Sequence, residues 1–457
     1  MVFNSVGTIA ILVVREARGV RYGVEWARFC FQCLGSSQAL TTVVRDYIRG
    51  LPFMPARSQY VLLIAAATFI SVFSLTGCKQ TPPSESANQA QPAAPATPQQ
   101  IGGQDIVKLE RKPTSGGQKP EFLSATVLPG RGMNVFQITA SIPGKGDVDV
   151  LASPSLANAA AKLNGGPGDE NGNASFSFGG AFLVPYPNRI RGKLSADGKT
   201  ITTEWKGKTI TLPANWKGKN PGAEPHAMHG LILASKTDDV KTETTADGQT
   251  VTGTIHAGNF GGYWLSETDL NFTVALTGDA VDAIITAKNV GKEAEPIAIG
   301  WHPYFNIPSG DRKQARLHVP GEQTAEVNNY DDVFPTGKLI PVKGTKYDFT
   351  AADGKPLDDI FLDDNWSKLQ RTHGAVDVDL TDPASNYGVQ VEGISPEIKT
   401  VQVYAPPTKE FAAIEEQFNF GDPWGKEWHG MDTGMVTLKP GQSVTWHVRL
   451  TLLTPSK

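Results

Sequence analysis

Cysteine is scarce in this chain, and its placement limits the available chemistry. The 457 residues include Cys30, Cys33 and Cys78, and no cysteine follows residue 78. The long remaining stretch can therefore form no disulfide, no thiolate metal site and no cysteine nucleophile. Its stability has to come from a hydrophobic core, which roughly 350 residues can supply without cross-links. Cys30 and Cys33 form a single C-x-x-C, which alone does not define a metal or redox site.

Several other signatures are missing. The chain has no P-loop, no dinucleotide-binding glycine motif and no Gly-x-Ser-x-Gly elbow, so neither a cofactor nor a serine nucleophile is predicted. His226 and His229 have a spacing that suits zinc, but two ligands fall short of the usual three or four, and no metal is predicted. The net charge is −4 overall although residues 1–77 carry +4. An acidic remainder without basic clusters argues against nucleic acid as a partner.

Long apolar runs are also rare, and the one near the front is informative. Residues 60–75 read YVLLIAAATFISVFSL, and LTGC follows at 75–78. This largely apolar run of 16 residues is shorter than the about 20 residues that span a membrane, but it suits the core of a secretory signal. The small residues before Cys78 are typical of a bacterial lipoprotein signal, which predicts lipidation of Cys78. The alternative is a chance cysteine after a signal-anchor helix.

The chain therefore divides into four predicted parts. Residues 54–77 are a signal peptide beginning at Met54, and residues 1–53 are an upstream segment from a mis-called start. Residues 78–104 are rich in Pro, Ala, Gln and Ser and predict a disordered tether. Residues 105–457 form the folded domain. Lys79, rather than aspartate, follows the lipid-bearing cysteine, which favours the outer membrane on its periplasmic side.

The folded domain has the pattern of a β protein. Apolar and polar residues alternate over 270–276, a TGD turn follows, and alternation resumes over 281–287, which predicts a hairpin. The final strand alternates in the same way over 444–452. There is no long amphipathic helix and no repeat of fixed period. We therefore predict an all-β fold, a large antiparallel sandwich in one domain.

Polar residues gather at the edges of these apolar strands in five segments. In order, the segments are PYPNRIRG (185–192), HAMHGLI (226–232), WHPYFN (301–306), LDDIF (357–361) and AAIEEQFN (412–419). Together they resemble the aldose 1-epimerases, or galactose mutarotases, whose usual elements occur in the same order. The resemblance covers roughly residues 105–455. It implies a β-supersandwich with an open groove for a sugar.

The resemblance also implies roles for individual residues. Glu415, in the E-x-Q spacing, matches the family's catalytic base, and His302 matches its general acid. The positions expected to hold sugar hydroxyls are Arg189, Asn188, His229, Asp358 and Gln417. The implied reaction interconverts the α and β anomers of a free aldose. A carboxylate and a histidine on opposite sides of the ring would open and close the hemiacetal, with no cofactor or metal.

Each role has a competing interpretation. The alternative for His302 is a buried histidine whose hydrogen bonds are all made within the protein. The alternative for Arg189 is an ion pair with a carboxylate such as Asp197. Glu415 and Glu416 are otherwise exposed charges, although on a continuous strand only one of them faces the groove. The alternative for Asp358 is that residues 358–364 form a solvated acidic loop or a calcium site. Trp301 and Pro303 depart from the family pattern, which leaves the natural sugar open.

Competing functions also remain at this point. One is a carbohydrate-binding envelope lipoprotein without catalysis, and another is a structural envelope lipoprotein. A third is an epimerase of another sugar or of a sugar phosphate. The presence of both Glu415 and His302 favours the enzyme, because a binding module needs no acid–base pair. The sequence gives no oligomeric state.

Overall fold

The computed structural model describes residues 98–455 and two short stretches at 8–11 and 25–28. The two short stretches form strands β1 (Thr8–Ile11) and β2 (Glu25–Arg28), which pair antiparallel. The predicted signal peptide, Cys30, Cys33, Cys78 and most of the predicted tether lie outside the described residues. Within the described part, no helix has the length and apolar character needed to cross a membrane.

Strands dominate the described part of the chain from residue 98 onward. Their bounds are β3 Gln100–Ile101, β4 Gln104–Asp105, β5 Val107–Glu110, β6 Glu121–Leu128, β7 Asn134–Ile142, β8 Gly146–Asp149, β9 Gly180–Leu183, β10 Arg189–Ile190, β11 Lys193–Leu194, β12 Thr200–Trp205, β13 Lys208–Pro213, β14 Ala227–Met228, β15 Asp238–Thr244, β16 Gly248–Gly258, β17 Thr268–Thr277, β18 Ala280–Asn289, β19 Glu295–Ile297, β20 Gly300–Asn306, β21 Arg316–His318, β22 Gly321–Val327, β23 Pro335–Pro341, β24 Lys355–Pro356, β25 Leu362–Leu369, β26 Val376–Asp382, β27 Tyr387–Gly393, β28 Thr400–Ala405, β29 Phe411–Gln417, β30 Val436–Leu438 and β31 Ser443–Leu453.

Helical structure within the same part is short. The α-helix α1 covers Leu156–Ala160. The 3-10 segments are Pro129–Arg131, Glu170–Ser177, Phe260–Gly262, Pro383–Ser385 and Lys426–Trp428.

Two large sheets carry the fold. The nine-stranded sheet has the order β15-β16-β17-β18-β31-β27-β26-β21-β24. The eleven-stranded sheet has the order β23-β22-β25-β28-β29-β20-β9-β7-β6-β5, with β8 attached to β7. The pairings within both sheets are antiparallel, as in β17 with β18 and β28 with β29. The predicted all-β antiparallel architecture is confirmed.

The predicted hairpin over 270–287 is confirmed as β17 and β18. Leu270 pairs with Ala287 and Leu276 with Val281, so the register follows the alternation of the sequence. All four of these side chains are buried. Because a shift by one residue would turn every apolar side chain outward, the alternation itself fixes this register.

The main core lies between the two sheets and is rich in aromatic rings. Phe182 of the eleven-stranded sheet lies 5.6 Å from Phe272 and 6.0 Å from Trp446, both in the nine-stranded sheet, measured between ring centroids. Trp301 stacks on Phe182 at 6.0 Å, and its indole nitrogen donates to the Gly180 carbonyl. Truncating such a buried ring to alanine typically costs about 3–5 kcal/mol. This contact layer therefore holds the two sheets in place.

The folded domain begins before the predicted boundary at residue 105. β3 and β4 form a small hairpin, and Ile101 is 3% exposed. At the turn, Gly102 has φ +68°, and a Cβ there would lie 2.1 Å from the Gly130 carbonyl oxygen. The predicted tether is therefore too long at its C-terminal end. The segment is polar overall, and its composition does not show that the Ile101 side chain packs in the core.

Candidate functional site

One row of polar side chains crosses the outer face of the eleven-stranded sheet. Glu415 on β29 pairs with Gln402 on β28, and Gln402 pairs with Asn365 on β25. On the other side of β29, the register of β20 brings His302 to the same row. Residues directly opposite each other on neighbouring strands point to the same face. Residues from four neighbouring strands therefore meet in one line.

His302 and Glu415 are in direct contact. His302 Nε2 lies 3.3 Å from Glu415 Oε1, and their exposed fractions are 5% and 1%. Gln417, two residues further along β29, donates from Nε2 to Glu415 Oε2 at 2.6 Å. The contact leaves no room for a sugar ring between the two groups. The expectation that they flank the ring from opposite sides is therefore wrong for this structure, in which they would meet a ligand from one side.

Burial controls the protonation of this pair. It raises the pKa of Glu415 well above its usual range, and the charge of Asp363 acts in the same direction. It lowers the pKa of His302 to about 4, with a further lowering from Arg189. Both shifts favour the neutral form, because a low-dielectric environment penalises charge. Both groups are therefore held toward their neutral forms, and they lie close enough together to exchange a proton.

His229 reaches the same place from the loop after β14. Its ring centroid lies 5.0 Å from that of His302, edge to face, and Phe176 packs against it at 4.9 Å. His229 has φ +61°, and the following Gly230 has φ +79°, where a Cβ would lie 2.4 Å from the Val184 carbonyl oxygen. The glycine of the HG motif is thus needed to turn the chain sharply behind the imidazole.

Arg189 and Asn188 enter the site beside the polar row. The Asn188 side chain accepts from Arg189 Nη1 at 3.2 Å and donates from Nδ2 to Gln402 Oε1 at 3.2 Å. Arg189 Nη2 lies 3.5 Å from Asp363 Oδ2, and Gln402 Nε2 donates to Asp363 Oδ1 at 2.8 Å. Arg189 therefore does pair with a carboxylate, as its competing interpretation predicted, but the partner is Asp363 rather than Asp197.

The acidic member of the site is Asp363, and the assignment of Asp358 is not supported. Asp358 is exposed in the turn before β25, and its carbonyl accepts a hydrogen bond from Arg312. Asp363 is the second residue of β25 and pairs in register with Tyr404. The strand's alternation turns Asp363 toward Arg189, whereas the turn leaves Asp358 in solvent.

Glu416 lies on the opposite face of β29 from Glu415. It is 1% exposed, and a Cβ on Gly393 of the nine-stranded sheet would lie 2.7 Å from its Oε2. Neither carboxyl oxygen of Glu416 has a hydrogen-bond partner among the described residues. Burial raises the pKa of Glu416 well above its usual range, which keeps the side chain uncharged between the sheets. The prediction of opposite faces for the two glutamates is confirmed, but neither is exposed.

Several polar atoms of the site are buried without a hydrogen-bond partner within residues 98–455. They belong to the side chains that the sequence singled out and to one that it did not: Arg189 Nε, His229 Nδ1, His302 Nδ1, Gln417 Oε1 and both polar atoms of the Asn365 amide. Leaving a buried donor or acceptor unpaired costs about 1–3 kcal/mol. These atoms are therefore available to hydrogen-bond with a polar ligand or with water.

Sequence reasoning missed four contributors to this site: Asp363, Gln402, Asn365 and Phe176. The first three are alternate residues on β25 and β28, so the strand registers would have identified them once known. Phe176 lies in the 3-10 segment Glu170–Ser177, which no strand pattern covers. Two surface clefts, of about 610 and 370 Å³, are lined by other residues, none of them in the polar row.

Comparisons with known proteins bear on the family and the fold of this chain. The family model for aldose 1-epimerase matches residues 162–451. A galactose mutarotase-like protein from Clostridium acetobutylicum has a similar structure, with a TM-score of 0.57, 21% identity, and coverage of 72% of this chain and 92% of that one. A GalM/aldose epimerase homologue from C. elegans gives 0.56 and 17%, covering 77% and 99%. A galactose 1-epimerase from Lactobacillus acidophilus gives 0.52 and 15%, covering 77% and 99%.

Structural likeness at these identities shows the fold, which is the predicted galactose mutarotase-like β-sandwich. The family match is a separate finding, and it extends over more than half of the sequence. All five polar segments, from residue 185 to residue 419, fall within it. The chain belongs to the aldose 1-epimerase family.

Proposed function

We propose that this protein is an aldose mutarotase that interconverts the α and β anomers of a free aldose by acid–base catalysis. The observation that carries the proposal is the buried contact of 3.3 Å between His302 Nε2 and Glu415 Oε1. A carbohydrate-binding module would need hydroxyl partners, but it would not need two proton-exchanging groups in contact with each other. Neutral buried groups are suited to passing protons to and from a neutral sugar.

The reaction needs two proton transfers at neighbouring oxygen atoms. One member of the pair removes the proton of the C1 hydroxyl while the other donates a proton to the ring oxygen. The bond from C1 to the ring oxygen breaks, and the C1 carbonyl forms. Rotation about the C1–C2 bond and the reverse transfers then give the other anomer, with the pair's proton count unchanged.

Approach from one side is compatible with this chemistry. Both reacting oxygens are bonded to the same carbon, so two groups in contact can serve them together. The neutral pair has its proton on Glu415, whereas the family assignment makes Glu415 the base and His302 the acid. Transfer of the shared proton across the contact converts one arrangement to the other. Each proton-transfer group contributes roughly 10²–10⁴-fold to the rate.

The remaining polar side chains would hold the sugar hydroxyls. Arg189, His229 and Gln417 each keep a buried polar atom without a protein partner in the described part of the chain. Asn188 and Asp363 orient the Arg189 guanidinium. Hydrogen bonds from a ligand to such groups fix its orientation and place C1 at the catalytic pair.

We also propose that the protein is exported and held at the bacterial envelope by lipid on Cys78, facing the periplasm from the outer membrane. The support is the apolar run at 60–75 followed by LTGC. The first described strand of the main domain begins at Gln100, so about 20 residues separate it from the lipid site. A tether of this length would let the site meet diffusing sugars.

Removing either proton-transfer group should abolish catalysis without unfolding the protein. We expect Glu415→Gln and His302→Asn each to lower kcat for mutarotation 10²–10⁴-fold, with sugar binding retained. Polarimetry with glucose, galactose and xylose measures the rate above the spontaneous reaction. The matched control is Glu416→Gln, an isosteric change on the other face of β29, which should keep wild-type activity. Wild-type protein that accelerates no aldose would contradict the proposal.

Asp363 rather than Asp358 should matter for substrate. We expect Asp363→Asn to raise KM about tenfold or more, because it loosens Arg189 in a buried site. Asp358→Asn, an equivalent change in the exposed turn, should leave KM within twofold. Equal effects of the two changes on KM would show that Asp363 has no special place in the site.

The pH dependence of kcat/KM should reflect the single proton shared by the pair. Below about pH 4, His302 takes up a second proton and the pair loses its acceptor, so activity should fall there. At high pH, Glu415 loses its proton at a pKa well above its usual range, and the donor is lost. Activity should therefore be level between these limits. An acidic limb near pH 6.5, the usual histidine value, would contradict this protonation state.

A second histidine provides the control for the acidic limb. Burial also lowers the pKa of His226 to about 4, but its ring packs against Phe334 outside the polar row. The limb should therefore persist in His226→Asn.

Lipidation can be tested on the full chain. In a Gram-negative host, the protein should incorporate labelled palmitate and sediment with outer membranes. Cys78→Ser should lose the label and remain uncleaved. Cys33→Ser should change neither result, because residue 33 precedes the predicted start at Met54. Unlabelled wild-type protein would contradict the lipoprotein prediction. A peptide from residues 1–53 in mass spectra of the organism that naturally makes the protein would contradict the predicted start at Met54.

A further inference from the structure

Aromatic side chains lead away from His302 over the outer face of the eleven-stranded sheet. We call Tyr304, Phe411, Tyr404 and Phe361 the aromatic surface. The ring centroid of Tyr304 lies 4.8 Å from that of His302 and 4.9 Å from that of Phe411. Tyr404 lies 6.3 Å from Phe411 and 6.3 Å from Phe361. The four rings are therefore continuous with the candidate active site.

Strand geometry places these rings one step along from the polar row. Tyr304 follows His302 by two residues on β20, and Tyr404 follows Gln402 by two residues on β28. Both tyrosines pair in register with Ala413 on the strand between them. With neighbouring strands about 4.8 Å apart, the two tyrosines stand about 10 Å from each other. The side chains flank a span about as wide as one sugar ring.

The aromatic surface is partly open to solvent, unlike the core. All four rings have intermediate exposure, whereas Phe305 and Val403, on the other face of the same strands, are fully buried. Tyr304 and Tyr404 have no hydrogen bond from their phenol hydroxyls to any described residue, and neither hydroxyl is among the fully buried unpaired atoms. Apolar ring surface combined with accessible hydroxyls suits an amphipathic ligand.

We propose that the aromatic surface is a second sugar subsite, so that the reacting aldose is the reducing end of an oligosaccharide. This inference rests on the proposed mutarotase function. A pyranose has an apolar C–H face that packs on aromatic rings and a rim of hydroxyls that bonds to phenols. A sugar unit linked to the one at His302 and Glu415 would extend over these rings. Phe411 lies four residues from Glu415 along β29, about 13 Å away and beyond the width of a single pyranose at the pair.

The test compares a monosaccharide with disaccharides that carry it at their reducing end, joined by 1,4 and 1,6 linkages. Polarimetry of the wild-type protein should give a lower KM for at least one disaccharide. Phe361→Ala and Phe411→Ala should each raise that KM about tenfold, because each change removes one ring contact with the second sugar. Both variants should leave kcat/KM for the monosaccharide within twofold of wild type. Thermal unfolding confirms that both variants are folded.

The control uses an aromatic residue in another surface recess. Tyr263 lines the cleft of about 610 Å³ and lies outside the aromatic surface. Tyr263→Ala should leave every KM unchanged. If it raises the disaccharide KM while Phe361→Ala does not, the second sugar binds in that cleft and the proposal is overturned. Equal KM values for monosaccharide and disaccharides in the wild type also overturn it, while leaving the mutarotase function intact.

Calorimetry separates failure of the subsite from failure of the catalytic proposal. Glu415→Gln should bind the disaccharide about tenfold more tightly than the monosaccharide, and addition of Phe361→Ala should remove that difference. This result supports the subsite even if the wild-type protein accelerates no sugar. Equal affinities in Glu415→Gln overturn it.

Discussion

The contact between His302 and Glu415 depends on the alternation of side chains along four neighbouring strands. β20, β29, β28 and β25 each present every second residue on the outer face of the sheet, and their registers bring those residues into one row. More than a hundred residues of sequence separate His302 from Glu415, yet the sheet fixes their distance at 3.3 Å. A slip of one residue in any of these strands would turn its member of the row into the core.

Burial shifts the pKa values of His302 and Glu415, and placing these groups away from water also costs free energy of folding. A carboxyl group and an imidazole that leave water both lose the stabilisation of their charged forms, so each moves toward neutrality. The aromatic layer between the sheets, formed by Phe182, Phe272 and Trp446, offsets part of that cost. The polar row therefore lies on one face of the eleven-stranded sheet, and the aromatic contacts that stabilise the fold lie on the other face.

The features that could be predicted from the sequence are those set by side-chain alternation within a strand or by a short motif. The β17–β18 hairpin and the final strand follow from alternation, and the choice of His302 and Glu415 follows from motifs that match a known family. Asp363 could not be chosen from sequence, because four aspartates crowd the stretch and only the start of β25 at Leu362 decides which of them faces Arg189. The boundary near residue 105 was placed too late because composition does not show that Ile101 finds a core contact.

The departure at Trp301 has a structural explanation from the same alternation. Trp301 precedes His302, so it faces the core while the imidazole faces the site. It donates to the Gly180 carbonyl at 2.9 Å, and a Cβ on Gly180 would lie only 2.4 Å from the indole nitrogen. Trp301 and Gly180 are therefore fitted to each other. The residue that distinguishes this chain's motif thus acts on the packing behind His302, on the face of the sheet opposite the polar row.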